Sequence, residues 1–293
     1  MTPLLILAGP TASGKSAAAI RLAREVGGEV VNADAMQVYS DLRIVTARPS
    51  AEDEAAVPHH LYGHVDGAER YSVGRYLREA GAVIREVRGR GRVPVVTGGT
   101  GLYLLALTRG LAEVPPVPEE VTAGCLESWR ADPVRFRAAL MEVDPAAAVL
   151  EPADRQRHVR TMAVWRATGR TLSDWQKEER AGAVPGPHRA MVLCPPREVL
   201  YERIERRWDE MMAAGGRDEV AALLDRDLPP DLPVMKALGV PQIAAVLRGE
   251  STEAEATESA KRETRRFAKR QMTWFRGQTD WPWAETFDTT LLR

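Results

Sequence analysis

The sequence predicts an α/β fold: a core built on a parallel sheet flanked by helices, plus a smaller helical insertion domain. Three observations carry that prediction. Short apolar runs alternate with helix-length amphipathic stretches, as successive βαβ units require. A glycine-rich turn follows the first apolar run directly. Two Pro/Gly-rich breaks bracket a middle stretch of helical spacing with little strand signal.

LLILAG, Leu4–Gly9, is a continuous apolar run, as expected of a strand buried on both faces. Lys15 to Val26 has helical spacing, with Ala18, Leu22 and Val26 on one face. EVVNAD, Glu29–Asp34, reads as the second strand, and Ser72–Gly89 reads as a helix. VPVVTGG, Val93–Gly99, is a third buried strand leading into the helix that TGLYLLAL begins. AEVPPVPEE, Ala112–Glu120, marks one break and GAVPGPHRA, Gly182–Ala190, the other. AMVLCPP then reads as a strand, and the chain from Pro196 onward is mostly helical. Residues 1–112 and 189–293 should form the core, and 113–188 the insertion.

Composition narrows the function. A formal net charge of −1 over 293 residues means that any nucleic-acid binding must rest on local basic clusters. Two cysteines, Cys125 and Cys194, offer neither a disulfide framework nor a zinc-ligand pattern, which suits a reducing compartment. The opening MTPLLILAGP has no basic leader region, and its apolar run is too short to span a bilayer. A cytoplasmic protein without membrane contact is expected.

GPTASGKS, Gly9 to Ser16, has the spacing of a phosphate-binding loop and sits where one must, after a buried strand and before a helix. The core is therefore expected to be a P-loop core. The backbone of Gly9, Thr11, Ala12, Ser13 and Gly14 can turn its N–H groups toward a phosphate. The helix N-terminus and Lys15 add positive charge, and the Ser16 hydroxyl can ligate Mg²⁺. The motif does not say which phosphate compound is held. Enzymes that spend nucleoside triphosphates usually hold Mg²⁺ with a second acid at a strand end. The third strand here ends VVTGGT, without one. An acid follows the second strand instead, as Asp34 in NADAMQVY. Strand ends gather at one edge of a parallel sheet, so Asp34 and Thr100 should lie near the loop. Asp34 could assist a metal or act as a general base. Either residue could also simply cap a helix.

The segments GPTASGKS, NADAMQVYSDLRIVTARPS, VPHHLYGHV, VVTGGTGLYLLAL and AKRQMTWFR occur in this order, with DRQRHVRTMAVWRATGRTLSDW and LPVMKALGV between them. Together they resemble the tRNA dimethylallyltransferase (isopentenyl-tRNA transferase) family of bacterial type, from about residue 4 to about residue 276. The resemblance implies that the loop holds the diphosphate of dimethylallyl diphosphate as a leaving group, with Mg²⁺ on Ser16. The exocyclic N6 of adenosine 37, beside the tRNA anticodon, would attack the allylic carbon. Asp34 maps to the general base, Thr100 to a threonine near the bridging oxygen, and Arg207 to the arginine that contacts the diphosphate. Arg203 lies four residues before Arg207, on the same helical face. Gln37 falls in the segment that contacts anticodon-loop bases, and its amide can donate and accept. The adjacent His59 and His60 cannot face one metal, so a structural or substrate-lining role is expected.

A flipped-out adenosine needs a cationic surface to hold its RNA. KRETRRFAKRQMTWFR, Lys261–Arg276, carries seven Lys/Arg against one acid. Arg262, Arg265, Arg266, Lys269 and Arg276 form one stripe at helical spacing, next to Arg270, with Phe267, Gln271, Trp274 and Phe275 toward another face. Arg155, Arg157, Arg160, Arg166 and Arg170 make a second cluster in the insertion. Core and insertion would clamp the anticodon stem–loop. A monomer is expected. The chain departs from the family in lacking the eukaryotic zinc-finger pattern, and in lacking a tyrosine after the glycine of MKALGV. Three alternatives stay open on the sequence: prenylation of free adenine nucleotides, a P-loop kinase, and a non-catalytic RNA-binding protein that senses a nucleotide.

Overall fold

The computed structural model describes residues 1–292. In chain order the elements are β1 (Leu4–Ala8), α1 (Lys15–Val26), β2 (Gly28–Asn32), α2 (Ala51–Ala56), β3 (His59–His60), α3 (Val73–Gly89), β4 (Val93–Gly98), α4 (Gly101–Arg109) and β5 (Leu111–Ala112). Next come α5 (Glu119–Ala131), α6 (Pro133–Val143), α7 (Arg155–Thr168), α8 (Leu172–Trp175), β6 (Arg180–Ala181) and β7 (His188–Leu193). The chain continues through α9 (Arg197–Ala213), α10 (Gly216–Leu224), α11 (Val240–Leu247), α12 (Glu253–Gln278) and β8 (Trp283–Ala284).

Six strands form one sheet in the order β3-β2-β4-β1-β7-β8. All its pairings are parallel. Every residue of β1 is buried, because strands flank it on both edges and helices cover the sheet. Ile6 pairs with Val96 of β4 on one side and Ala190 of β7 on the other. On one face, Ala19 and Leu22 of α1 pack on Leu5, Leu7, Val30, Val95 and Met191. The second strand stops at Asn32, two residues short of the predicted Asp34. The Asn32 side chain is the reason. Its Oδ1 accepts from Asp34 N at 2.8 Å, and its Nδ2 donates to the carbonyls of Asp34 and Leu61. This local turn replaces the ladder and lifts Asp34 off the sheet end. The two-residue edge strands β3 and β8 are too short to leave a periodic signal.

The contacts divide the chain at Arg109–Gly182, which forms its own unit, with Met1–Thr108 and the segment from Ala183 onward forming the other. The predicted insertion ran to residue 188. Residues after 182 go with the core because Val184 N donates to Leu107 O and Leu4 N donates to Pro187 O. The inserted unit is helical. Trp129, Phe136, Leu140, Val159 and Met162 of α5, α6 and α7 fill its centre together with Cys125, which is a free thiol. α7 is capped at its start by Asp154, whose side chain accepts from Arg157 N, and at its end by Gly169 in the left-handed conformation. In the core unit, α9 to α11 pack their apolar faces on Val38, Tyr39, Leu42 and Val45, so the segment after Asp34 is backed by a core of its own.

Candidate active site

The phosphate loop turns through Ala12 (φ 61°) and Gly14 (φ 88°). Gly14 is the N-cap of α1 but has no side chain to offer, so the first-turn amides of α1 remain available to an anion. The loop has little spare room: a Cβ on Gly9 would lie 2.4 Å from Leu193 O and 2.9 Å from Ser13 Oγ. Lys15 Nζ donates to Pro10 O at 3.1 Å across the mouth of the loop. Burial pushes its ammonium down to about 8; Asp34 opposes that shift and Arg207 adds to it. Ser16 is exposed on the first turn of the helix.

α9 supplies two more cations, one helical turn apart. Arg203 Nη1 donates to Ser13 O at 2.9 Å. Arg207 Nη1 donates to Thr11 Oγ1 at 3.1 Å, and its Nη2 to Thr46 O at 3.3 Å. Burial lowers the Arg207 pKa, while Asp34 raises it. A cavity of about 300 Å³ is enclosed by Lys15, Arg203, Arg207, Asp34, Tyr62 and the Thr46–Ala47 backbone, among others. Cations outnumber acids on its walls, so it suits a compact polyanion.

Asp34 is braced from its own loop. Its Oδ1 accepts from Met36 N at 2.9 Å and, weakly, from Gln37 N at 3.4 Å. The other oxygen makes no bond among the described residues, and Asp34 lines the cavity. Its charge adds to burial in pushing the Tyr62 and Tyr103 hydroxyls up. Thr100 stands beside it: Thr100 Oγ1 accepts from Ala35 N at 3.0 Å, and Thr100 N donates to Ala33 O at 3.2 Å. The cavity wall on that side is Thr97 and Gly98 rather than Thr100 itself. The structure thus gathers the phosphate loop, Asp34, Gln37 and Arg207 around one cavity, with Thr100 adjoining.

Gln37 differs from its expected use. Its Nε2 donates to Thr46 O and Ala47 O at 2.9 and 2.8 Å, so only its Oε1 is left to meet a base. Sequence reasoning missed the Thr46–Ala47 turn altogether. That turn is held in place by Glu219, whose carboxylate accepts from the amides of Arg43, Ile44 and Val45 at 2.5–2.8 Å. Sequence reasoning placed Gln271 on the face of α12 away from the basic stripe but gave it no role; the residue is 6 % exposed on the buried face of that helix. The available signal was a lone amide among apolar neighbours, since a buried polar group needs partners. His60 Nε2 lies 2.6 Å from Glu29, which Arg90 also pairs at 2.7 Å; His59 Nδ1 bonds Val57 O. Both histidines serve packing at the sheet, and no group of three metal-binding side chains occurs among the described residues.

The basic stripe of α12 faces outward while Ala256, Ala260, Ala268, Gln271 and Phe275 are buried. Arg265 pairs with Glu205 at 3.1 Å and Arg266 with Glu263 at 2.7 Å, so part of the stripe is neutralised within the protein. Lys269 and Arg270 are exposed with no acidic partner among the described residues, and Arg270 lies over the Phe267 ring. In the inserted unit Arg157 and Arg160 are exposed on α7, with Arg157 3.3 Å from Asp154. No helix among the described residues is long and apolar enough to cross a membrane.

Comparison with known proteins agrees with this geometry. The IPP transferase family model matches residues 37–278, and the isopentenyl transferase model matches residues 2–59. A tRNA dimethylallyltransferase of Hyphomonas neptunium is 50% identical over 287 residues, covering 96% of this chain and 90% of that protein. Among solved structures, the tRNA isopentenylpyrophosphate transferase of Bacillus halodurans superposes with a TM-score of 0.70 at 32% identity, over 99% of this chain and 93% of that one. A eukaryotic dimethylallyltransferase acting on tRNA superposes with a TM-score of 0.81 at 29% identity, over 94% of this chain and 70% of that one.

Proposed function

Because the chain belongs to the IPP transferase family, we propose that it transfers the dimethylallyl group of dimethylallyl diphosphate to N6 of adenosine 37 in the tRNA anticodon loop, releasing diphosphate. The observation that carries this reading is one cavity whose walls carry Lys15, Arg203 and Arg207 together with the Asp34 carboxylate. Such a cavity would set a polyanionic leaving group next to a general base.

In the reaction the N6–carbon bond forms as the allylic carbon–oxygen bond breaks. The electron pair of that bond leaves with the diphosphate, and the N6 proton passes to Asp34. An exocyclic amine is a weak nucleophile because its lone pair is spread into the ring, so proton removal and alignment both matter. Asp34 is suited to the base role because one oxygen is fixed by Met36 N and the other is open to the cavity. Arg207, Lys15 and the first-turn amides of α1 would take up the charge of the departing diphosphate. Thr100 accepts from Ala35 N and adjoins the cavity without lining it, and its hydroxyl proton would be left to donate to a leaving-group oxygen. Ser16 lies on the cavity wall beside Lys15, and the residues present fit a Mg²⁺–diphosphate pair in which Ser16 would be the protein ligand, with phosphate oxygens and waters as the others. Bound Mg²⁺ would supply further neutralisation of the diphosphate.

Arg157, Arg160, Lys269 and Arg270, with Arg265 and Arg266, would bind the phosphates of the anticodon stem–loop, and Gln37 Oε1 would meet a base. We take the enzyme to act as a monomer in the cytoplasm. The assignment is tested with Asp34→Asn. Turnover should fall at least ~10²-fold, the usual scale of general-base loss, while tRNA affinity is kept. Unchanged turnover would remove Asp34 from the base role.

A further inference from the structure

The buried face of α12 is built from alanine and phenylalanine, apart from one glutamine. Gln271 spends both ends of its amide on backbone. Its Oε1 accepts from Thr11 N at 2.9 Å, and its Nε2 donates to Gly99 O at 2.9 Å. One side chain thus ties the phosphate loop to the turn after β4. The fit is close. A Cβ on Gly99 would lie 2.1 Å from Gln271 Nε2, and a Cβ on Gly101 would lie 2.0 Å from the Trp274 ring. Side chains three apart on α12 therefore seat on glycines two apart in the turn. The residue between those glycines is Thr100, whose oxygen takes the Ala35 amide. At the other end, Thr11 is held from a second side, because its Oγ1 accepts from Arg207.

We propose that Gln271 is a positioning residue of the diphosphate site, setting the separation between the phosphate loop and the Thr100 turn. The inference rests on the function proposed above. The glutamine amide supplies both the donor and the acceptor this bridge uses. Glutamate could accept from Thr11 N but could not donate to Gly99 O, and it would bring negative charge behind a bound diphosphate. Methionine fills similar space and leaves both backbone groups unpaired. Gln271 touches the loop and not the substrate, so its loss acts through the placement of Thr11 and, through Thr11, of Arg207.

The test compares wild-type protein, Gln271→Met, Gln271→Glu and Phe275→Leu. Phe275 is buried on the same helix and serves as the control for lost packing. Binding of dimethylallyl diphosphate with Mg²⁺ and no tRNA is measured by calorimetry; thermal melts and the split of kcat from KM complete the set. Both Gln271 variants should weaken donor binding by roughly 10-fold, the scale of an unsatisfied backbone pair, and lower kcat, with tRNA affinity unchanged. Phe275→Leu should lose stability and keep donor affinity. Wild-type donor affinity and kcat in folded Gln271→Met or Gln271→Glu protein would overturn the inference. So would a loss of donor affinity in Phe275→Leu that tracks its melting temperature. Wild-type protein that binds no donor would instead overturn the functional reading on which the inference stands.

Discussion

Donor binding should depend on the charge of Lys15, and the pH at which it changes follows from the site. Burial holds the ammonium down to about 8 in the ligand-free protein, against an ordinary value of 10.5. A bound diphosphate favours the charged form, so binding above that pH must take up a proton. From pH 7 to pH 9 the charged fraction falls from roughly nine-tenths to one-tenth. The dissociation constant for dimethylallyl diphosphate should therefore rise ~10-fold over that interval and stay nearly flat below it. Calorimetry in buffers of different ionisation heat should register an uptake of about three-quarters of a proton per donor at pH 8.5. Lys15→Arg keeps its charge throughout and should abolish both effects. The same shift sets the stability of the free protein. Between about 8 and 10.5 the unfolded chain holds a proton that the folded one has lost, so stability should climb through that window. Donor affinity constant from pH 7 to pH 9, with no proton uptake, would refute the assignment of Lys15 to the site.

Further outcomes follow from the same geometry. Arg207→Met should cut kcat/KM by ~10²-fold or more by removing a leaving-group cation, and Arg207→Lys should recover only part because one ammonium cannot span Thr11 and Thr46; steady-state kinetics with tRNA checks both. Changing Lys269 and Arg270 together to Ala should weaken tRNA binding and flatten its salt slope by about 1–2, read from affinity across a salt series. Changing Arg265 and Arg266 should do less, because Glu205 and Glu263 already pair them. Gly98→Ala places a Cβ 2.1 Å from Ala33 O, and the overpacking should cost about 1–3 kcal/mol in denaturant melts and displace Asp34, lowering turnover further than the stability loss explains.

The parts of the fold most legible in the sequence were those fixed by local pattern. α1 spans Lys15–Val26 as its spacing predicts, and α3 begins one residue after Ser72 because Ser72 is its cap. Strand ends were read long: Asn32 and its side-chain turn end β2 before Asp34 is reached. Composition around Gly182–Ala190 signalled a break, but the boundary depends on Val184 bonding Leu107, a contact between segments far apart in sequence. Within the site, the phosphate loop was visible because its spacing is its mechanism. Asp34 and Thr100 could be placed near it from the parallel sheet alone. Gln271 and Glu219 could not, because each acts on backbone more than 170 residues away. Gln37 offered a plausible base contact, and only the fold shows its Nε2 spent on Thr46 and Ala47.

The most direct test of the account is prenyl transfer from labelled dimethylallyl diphosphate with Mg²⁺, offered unmodified tRNA and AMP side by side. The account predicts label in the tRNA at adenosine 37 and none in AMP. Label in AMP would assign the chain to free-nucleotide prenylation, and label in neither would contradict the reading of the loop as a diphosphate site.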